Sequence, residues 1–164
     1  MPYLIEAMQP GDWAQVCAIY LEGIATRNAT FETSPPSWEK WDAAHLPFAR
    51  LVARAGADML GWGALIAVSD RGCYVGVAEA SIYVARQHRG KEVGAALLQS
   101  VVAHSEENGI WTLQAGIFPE NAGSLALAKS CGFREVGRRE RLAKLNGVWR
   151  DVLLLERRST VVGL

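Results

Sequence analysis

Apolar positions recur along the chain with two different periods, and each change of period marks an element. Residues 3–7 read as a short opening strand. Pro10, Gly11 and Asp12 then open a helix on which Val16, Ile19 and Tyr20 keep helical spacing, with Asp12 as its expected N-cap. Residues 24–36 keep neither period, and an irregular connector of that length in a compact domain reads as a binding loop. Ser37 is placed to cap a short second helix over residues 38–46, stopped by Pro47. Residues 49–53 and 59–67 read as a hairpin around residues 54–58. A polar loop, residues 69–76, follows and carries Arg71 and Tyr74.

The middle of the chain has the clearest pattern. Residues 77–84 are β-branched or small and apolar, interrupted once by Glu79, which predicts a buried strand. Residues 93–102 place Val93, Ala96, Leu97, Val101 and Val102 on one helical face. A basic turn joins them, Arg86-Gln87-His88-Arg89-Gly90-Lys91. The first helical turn has N–H groups with no partner in the helix, and the helix dipole favours negative charge there. A strand, a basic glycine-containing turn and a helix therefore predict a phosphate or pyrophosphate cradle. The plainer reading of the turn is a solvated basic loop. No G-x-x-x-x-G-K-[ST] loop and no G-x-G-x-x-G fingerprint occurs.

The remaining elements follow in order. Asn108-Gly109 ends the central helix in a left-handed cap, and residues 111–117 form another strand. Residues 118–121 turn into a helix over 122–131, closed by Gly132. Residues 133–141 and 148–156 read as two last strands around the tight turn Asn146-Gly147. The order β α α β β β α β α β β predicts the α/β class: a single mixed, largely antiparallel sheet with helices on both faces. One domain over residues 1–158 is expected, with a loose tail at 159–164.

Composition narrows the function without choosing it. The 164 residues are half hydrophobic and carry 17 basic and 17 acidic side chains. A net charge of zero argues against general nucleic-acid binding, and no apolar run approaches a membrane span. The first ten residues lack the pattern of a secretion signal. Cys17, Cys73 and Cys131 fit no zinc or disulfide spacing, so buried, reduced thiols in a cytoplasm are expected. Glu79, a lone carboxylate in an apolar strand, is the best candidate base, since burial raises a carboxyl's hold on protons. Its structural alternative is an ion pair with an arginine across the sheet.

Several stretches together resemble a known family. They are AIY at 18–20, NATFETSPP at 28–36, AEASIYV at 78–84, HRGKEVGAALL at 88–98 and GIWTLQAGIFPENAGSLAL at 109–127. CGFREVGRRER at 131–141 and GVWRDVLLLERR at 147–158 extend them. The chain resembles the GNAT acetyltransferases, and within them the phosphinothricin, methionine sulfoximine and arsinothricin N-acetyltransferases.

The resemblance implies a GNAT fold and acetyl-CoA as co-substrate, with no metal and no covalent intermediate. It implies that the backbone of Ile82, Tyr83 and Val84 holds the pantetheine arm. The turn through Arg89, Gly90, Lys91, Glu92, Val93, Gly94 and Ala95 would hold the pyrophosphate, and Asn121 the pantetheine amide. The strands near residues 82 and 114 would splay to admit the thioester. Glu79 matches the family's glutamate, Arg71 its substrate-carboxylate arginine, Tyr74 a substrate-side tyrosine and Phe31 an aromatic of the substrate loop. Tyr83 would face the site from the strand side opposite Ile82 and Val84. Phe31 has a core role as its alternative, and Arg71 a solvated one. Gln114 and Thr112 share a strand face and are assigned no chemistry. A small amino-acid-like acceptor, detoxification or resistance, and a homodimer through the substrate loop or final strands are implied as well.

Two positions depart from the family pattern. Glu92 stands where the turn usually has glycine, which sets a carboxylate beside a diphosphate. At about 6 Å, unit charges repel by roughly 0.7 kcal/mol in water and about 3 kcal/mol at an effective dielectric of 20. Ala128 stands where the family has tyrosine or histidine as acid, and alanine can supply no proton. The rival readings are a protein N-terminal acetyltransferase and an acyl-CoA-binding domain whose chemistry has decayed.

Overall fold

The computed structural model describes residues 2–164. Seven strands form one sheet in the order β1-β2-β3-β4-β5-β7-β6. They are β1 (Leu4–Ala7), β2 (Leu51–Ala55), β3 (Asp58–Ala67), β4 (Val77–Val84), β5 (Thr112–Ile117), β6 (Arg134–Leu145) and β7 (Val148–Arg158). Only β4 and β5 pair in parallel; the other neighbours are antiparallel. The sheet is thus mixed and largely antiparallel, as the pattern predicts.

Helices cover both faces. Helices α3 (Val93–Glu107) and α4 (Ala122–Ser130) share one core with Leu65, Ala78, Leu113 and Leu155 of the sheet. Helices α1 (Trp13–Ala25) and α2 (Trp38–Ala44) build the other, where Val16, Ile19, Tyr20 and Trp41 meet Val52 and Trp62. Leu97 and Val101 of α3 are fully buried, and a side chain of that kind contributes about 1.5–3 kcal/mol on burial. Gly61 and Gly63 of β3 let α3 sit this close. A Cβ on Gly61 would lie 2.7 Å from the Tyr83 carbonyl oxygen and 2.9 Å from Leu97.

Several boundaries differ from the sequence reading. Asp12 does not cap α1: its own backbone is helical, and its carboxylate accepts from the Gln9 N–H at 2.8 Å and from Arg54 at 2.6 Å. Ser37 does cap α2, accepting from the Lys40 N–H at 3.3 Å. The β2–β3 hairpin closes on a shorter turn, and Leu60 is an extra residue opposite the Ala53–Arg54 step. Helix α3 runs on to Glu107 before Gly109, at φ +80°, ends it. Strand β6 runs on to Leu145, into a turn with both Asn146 and Gly147 at positive φ.

The tail is tied down, not loose. Ser159 is buried; its N–H donates to the Trp111 carbonyl and its hydroxyl to Glu106. Arg158 reaches the carbonyls of Val162 and Gly163. Cys73 is exposed on its loop, and Cys17 and Cys131 are partly buried, so full burial holds for none of the three. No described helix is long and apolar enough to cross a membrane.

Because the obstacle at Gly61 is backbone of the adjacent strand, Gly61→Ala is expected to destabilise the fold by about 1–3 kcal/mol. The check is the urea midpoint, which should fall at unchanged slope.

Candidate active site

The site is made by a fork in the sheet. Strands β4 and β5 pair through Val77–Thr112, Ala78–Leu113 and Glu79–Gln114, and their pairing ends there. Beyond the fork β4 keeps only its β3 partner, through Val84 opposite Gly61. Two adjoining cavities open around the gap. A cavity of about 720 Å³ lies between the end of β4, the start of α3 and the start of α4. A second, of about 320 Å³, extends from the fork toward β6 and β7. Ile82, Tyr83, Asn121 and Ser124 line both.

The larger cavity has the features of an anion cradle. The Ala96 N–H donates to the Glu92 carbonyl, which leaves the N–H groups of Val93, Gly94 and Ala95 without partners inside the helix. Gly90 has φ +76°, and Gly94 packs directly against Leu127 and Val84. Of the residues expected to hold the nucleotide, Ile82, Tyr83, Val84, Arg89, Gly90, Glu92, Gly94, Ala95 and Asn121 line this cavity. Lys91 and Val93 do not. Val93 is buried, so only its backbone faces the turn, and Lys91 is solvent-exposed. Arg89 is turned back, its Nε donating to the Val84 carbonyl at 3.2 Å. Glu92 has φ +64°, a left-handed backbone that an L side chain adopts at a cost of about 1–2 kcal/mol.

The smaller cavity gathers Glu79, Ser81 and Tyr83 from one face of β4 with Gln114 and Gly116 of β5. Glu79 is half-buried and accepts from Gln114 Nε2 at 3.2 Å; among the described residues it has no arginine partner. The full desolvation expected of a carboxylate in an apolar strand is therefore not present. Tyr83, Tyr20 and Trp62 form a three-ring cluster, with Tyr83 5.0 and 4.8 Å from the other two ring centres and those two 5.8 Å apart. Burial, then the neighbouring Tyr20, push its hydroxyl well above the ordinary tyrosine range, so it donates a hydrogen bond and keeps its proton. Phe31 lines the cavity, edge-on to Phe118 at 4.9 Å, so the core and substrate-loop readings coincide in one position. Ala128 is buried in the wall and offers no proton.

Two expected substrate residues are elsewhere. Arg71 and Tyr74 lie on the exposed loop before β4, the guanidinium 5.5 Å above the Tyr74 ring, and neither lines a cavity. The arginine that does line the smaller cavity is Arg139 of β6. Sequence reasoning missed it because nothing in the run Arg138-Arg139-Glu140-Arg141 tells which side chain turns inward. Gln114 was placed on a strand face but assigned no chemistry, and Thr30, Ser81 and Ser124 were not singled out.

The loop over the cavities is held by side chains from distant elements. Arg150 of β7 donates to the Arg27 carbonyl and to Asn28 Oδ1, both at 2.8 Å, and to Glu120 at 3.2 Å. Its guanidinium also lies 4.2 Å from the centre of the Phe118 ring. Asn121 caps α4 through the Ser124 N–H and donates to the Asn28 carbonyl at 2.9 Å. Among the described residues no cluster of three or more His, Cys, Asp or Glu side chains is placed to hold a metal.

A fork between parallel strands, with an anion cradle at the following helix and a carboxylate at the fork, defines an acyl-CoA-dependent transferase. The acetyltransferase (GNAT) family model matches residues 13–133. The phosphinothricin N-acetyltransferase of Alcaligenes faecalis is 30% identical, over 93% of this chain and 81% of its own length. The L-methionine sulfoximine/L-methionine sulfone acetyltransferase of Pseudomonas paraeruginosa (strain DSM 24068 / PA7) is 27% identical over 88% of each chain. The fold matches that of a Sinorhizobium meliloti phosphinothricin acetyltransferase in complex with AcCoA, at a TM-score of 0.88 and 24% identity. The match covers 99% of this chain and 91% of that one. The chain belongs to the GNAT acetyltransferase family and is an acetyl-CoA-dependent N-acetyltransferase.

Since Arg150 holds the loop by two hydrogen bonds and ties it to Glu120 by a third, Arg150→Ala is expected to free residues 26–31. Amide exchange there should quicken by about 10–100-fold, while α3 keeps its protection.

Proposed function

We propose that this enzyme acetylates the α-amine of a small amino acid analogue of the phosphinothricin, methionine sulfoximine or arsinothricin kind, by direct transfer. The observation that carries the reading is the acceptor cavity of about 320 Å³, walled by Glu79 and Gln114 and joined to the cradle at the fork. That volume suits a small molecule. The names of the two relatives support the same class. A protein N-terminus is a poorer fit to a cavity of that volume, which Phe31 and Leu142 help to line.

In this reading, acetyl-CoA supplies an activated acyl group when bound. The exposed N–H groups of the first turn of α3 receive its pyrophosphate, and the single-sided end of β4 receives its arm as an added strand. Glu79 takes the proton from the acceptor ammonium, directly or through one water, while Gln114 fixes the carboxylate. A backbone N–H near Val84 polarises the acyl carbonyl. Ala128 leaves the departing sulfur without a family acid, and the hydroxyls of Tyr83 and Ser124, which line both cavities, are at hand to stabilise it by hydrogen bonds without giving up their protons. Detoxification or resistance in the cytoplasm is the corresponding role, and a homodimer the corresponding assembly.

Thiol release from acetyl-CoA tests the reading across phosphinothricin, methionine sulfoximine, methionine sulfone, arsinothricin and a short peptide. One small amino acid should turn over, and Glu79→Gln should lose about 10²–10⁴-fold in kcat. Turnover of the peptide alone would overturn it, as would acetyl-CoA binding with no turnover. Glu92→Gly is expected to tighten acetyl-CoA, by about 3-fold if the charge is solvated and more if it is not. Calorimetric titration that finds equal or weaker affinity would remove Glu92 from the cradle's electrostatics.

A further inference from the structure

The run Arg138-Arg139-Glu140-Arg141 has no role in the transfer just described, yet it carries an unusual backbone. Between Arg139 and Ala143 strand β6 advances four residues while β7 advances two, from Val152 to Arg150. The surplus residues form a bulge with Arg141 at φ +45°. Bulges of this kind re-aim side chains, and they recur beside active sites. Here both Arg139 and Leu142 line the acceptor cavity.

Asp151 holds the bulge in shape. Its carboxylate accepts the Arg141 N–H at 2.7 Å and Arg138 Nε at 2.7 Å. The Arg141 N–H and then the Arg138 guanidinium hold its carboxyl below the usual aspartate range, so it stays ionised at working pH. Three neighbouring cations have partners: Arg138 has Asp151, Arg134 has Glu156, and Arg150 has Glu120, while the Arg141 side chain does not line the cavity. Arg139, among the described residues, has no ion pair and no side-chain hydrogen bond, although it faces the cavity.

Its place in the sheet says which end of an acceptor it meets. Glu79 registers with Gln114, and Gln114 with Glu156 of β7. Arg139 registers with Val152. The two rows are four residues apart on β7, about 14 Å along the sheet, with two further strands between. An α-carboxylate is attached to the same carbon as the amine at Glu79 and stays beside it. A group at the end of the acceptor's side chain lies in the direction of Arg139.

We propose that Arg139 recognises a second acidic group at the far end of the acceptor amino acid, and that Asp151 positions it through the bulge. The inference rests on the acceptor reading above and deepens it: the preferred substrates are amino acids that end in an oxyanion, carboxylate or phosphinate. A guanidinium fork suits such a group because it can donate two parallel hydrogen bonds.

The test compares phosphinothricin, which carries the distal acid, with methionine sulfone, which does not, using thiol release by the full chain. For Arg139→Gln the ratio of kcat/KM between the two acceptors should fall by about 10–100-fold, through KM for phosphinothricin and not through kcat. Arg139→Lys should restore part of the ratio. Asp151→Asn should reproduce part of the loss, and add little when Arg139 is already replaced. An unchanged ratio in Arg139→Gln overturns the assignment, as does an equal loss on both acceptors. A wild-type enzyme that acetylates methionine sulfone but not phosphinothricin also overturns it, while leaving the acetyltransferase reading standing. Wild-type enzyme inactive on every amino acid removes both.

Discussion

Everything at this site depends on where two parallel strands stop pairing. Up to Glu79 and Gln114 the ladder between β4 and β5 is intact; past them each strand goes its own way. Backbone groups on a one-sided strand need a partner, and a strand edge inside a cleft is a template for an extended ligand. The same divergence opens the space behind β5 into which Glu79, Ser81 and Tyr83 project. The one-sided strand edge and the smaller cavity are therefore two consequences of one break in hydrogen bonding, and Glu79 stands at its apex because the break begins there.

Such a fork is open on one side unless other elements close it. Helix α3 fixes the near wall through Gly61 and Gly63, whose missing side chains let it lie against β3. The far wall is fixed through Asn28, which accepts from Arg150 of β7 by its side chain and from Asn121 of α4 by its carbonyl. Phe31, three residues on, is held against Phe118 by the same arrangement. Tyr83 is held in a cluster of three mutually contacting rings with Tyr20 and Trp62. Residues that line the two cavities are thus placed by packing from outside the cleft, which is how a site is kept preorganised.

The parts legible from sequence are those set by short-range rules. Alternation and helical spacing gave the strands, the helices and the basic turn into α3, because each depends on residues close in the chain. Asp12 looked like a cap by the same rules, but Arg54, distant in sequence, draws its carboxylate away. The acceptor side was mostly hidden. Arg71 was favoured by resemblance and is found on an exposed loop, whereas Arg139 lines the cavity opposite Val152, at the edge of a bulge that only β7 makes visible. Register between β6 and β7 is a long-range property, and one shifted residue exchanges the inward and outward sets. The tail looked loose because its polar residues have no periodic pattern; its order comes from the carbonyl of Trp111 and the carboxylate of Glu106.

Glu92 shows how the two states of such an enzyme can ask opposite things of one residue. Its backbone is left-handed, which strains any L side chain, and its side chain makes no capping hydrogen bond. Yet it sits at the N-terminus of α3, where the helix dipole favours a negative charge by about 0.3–1 kcal/mol. In the free enzyme that attraction offsets part of the strain. With a diphosphate in the cradle, the same partial positive charge is already engaged, and the carboxylate meets a like charge instead. Glycine would relieve the strain in both states and the repulsion in only one. In the proposed reading the carboxylate at this turn weighs on the balance between free and bound enzyme more than on the fold, from a position exposed to solvent.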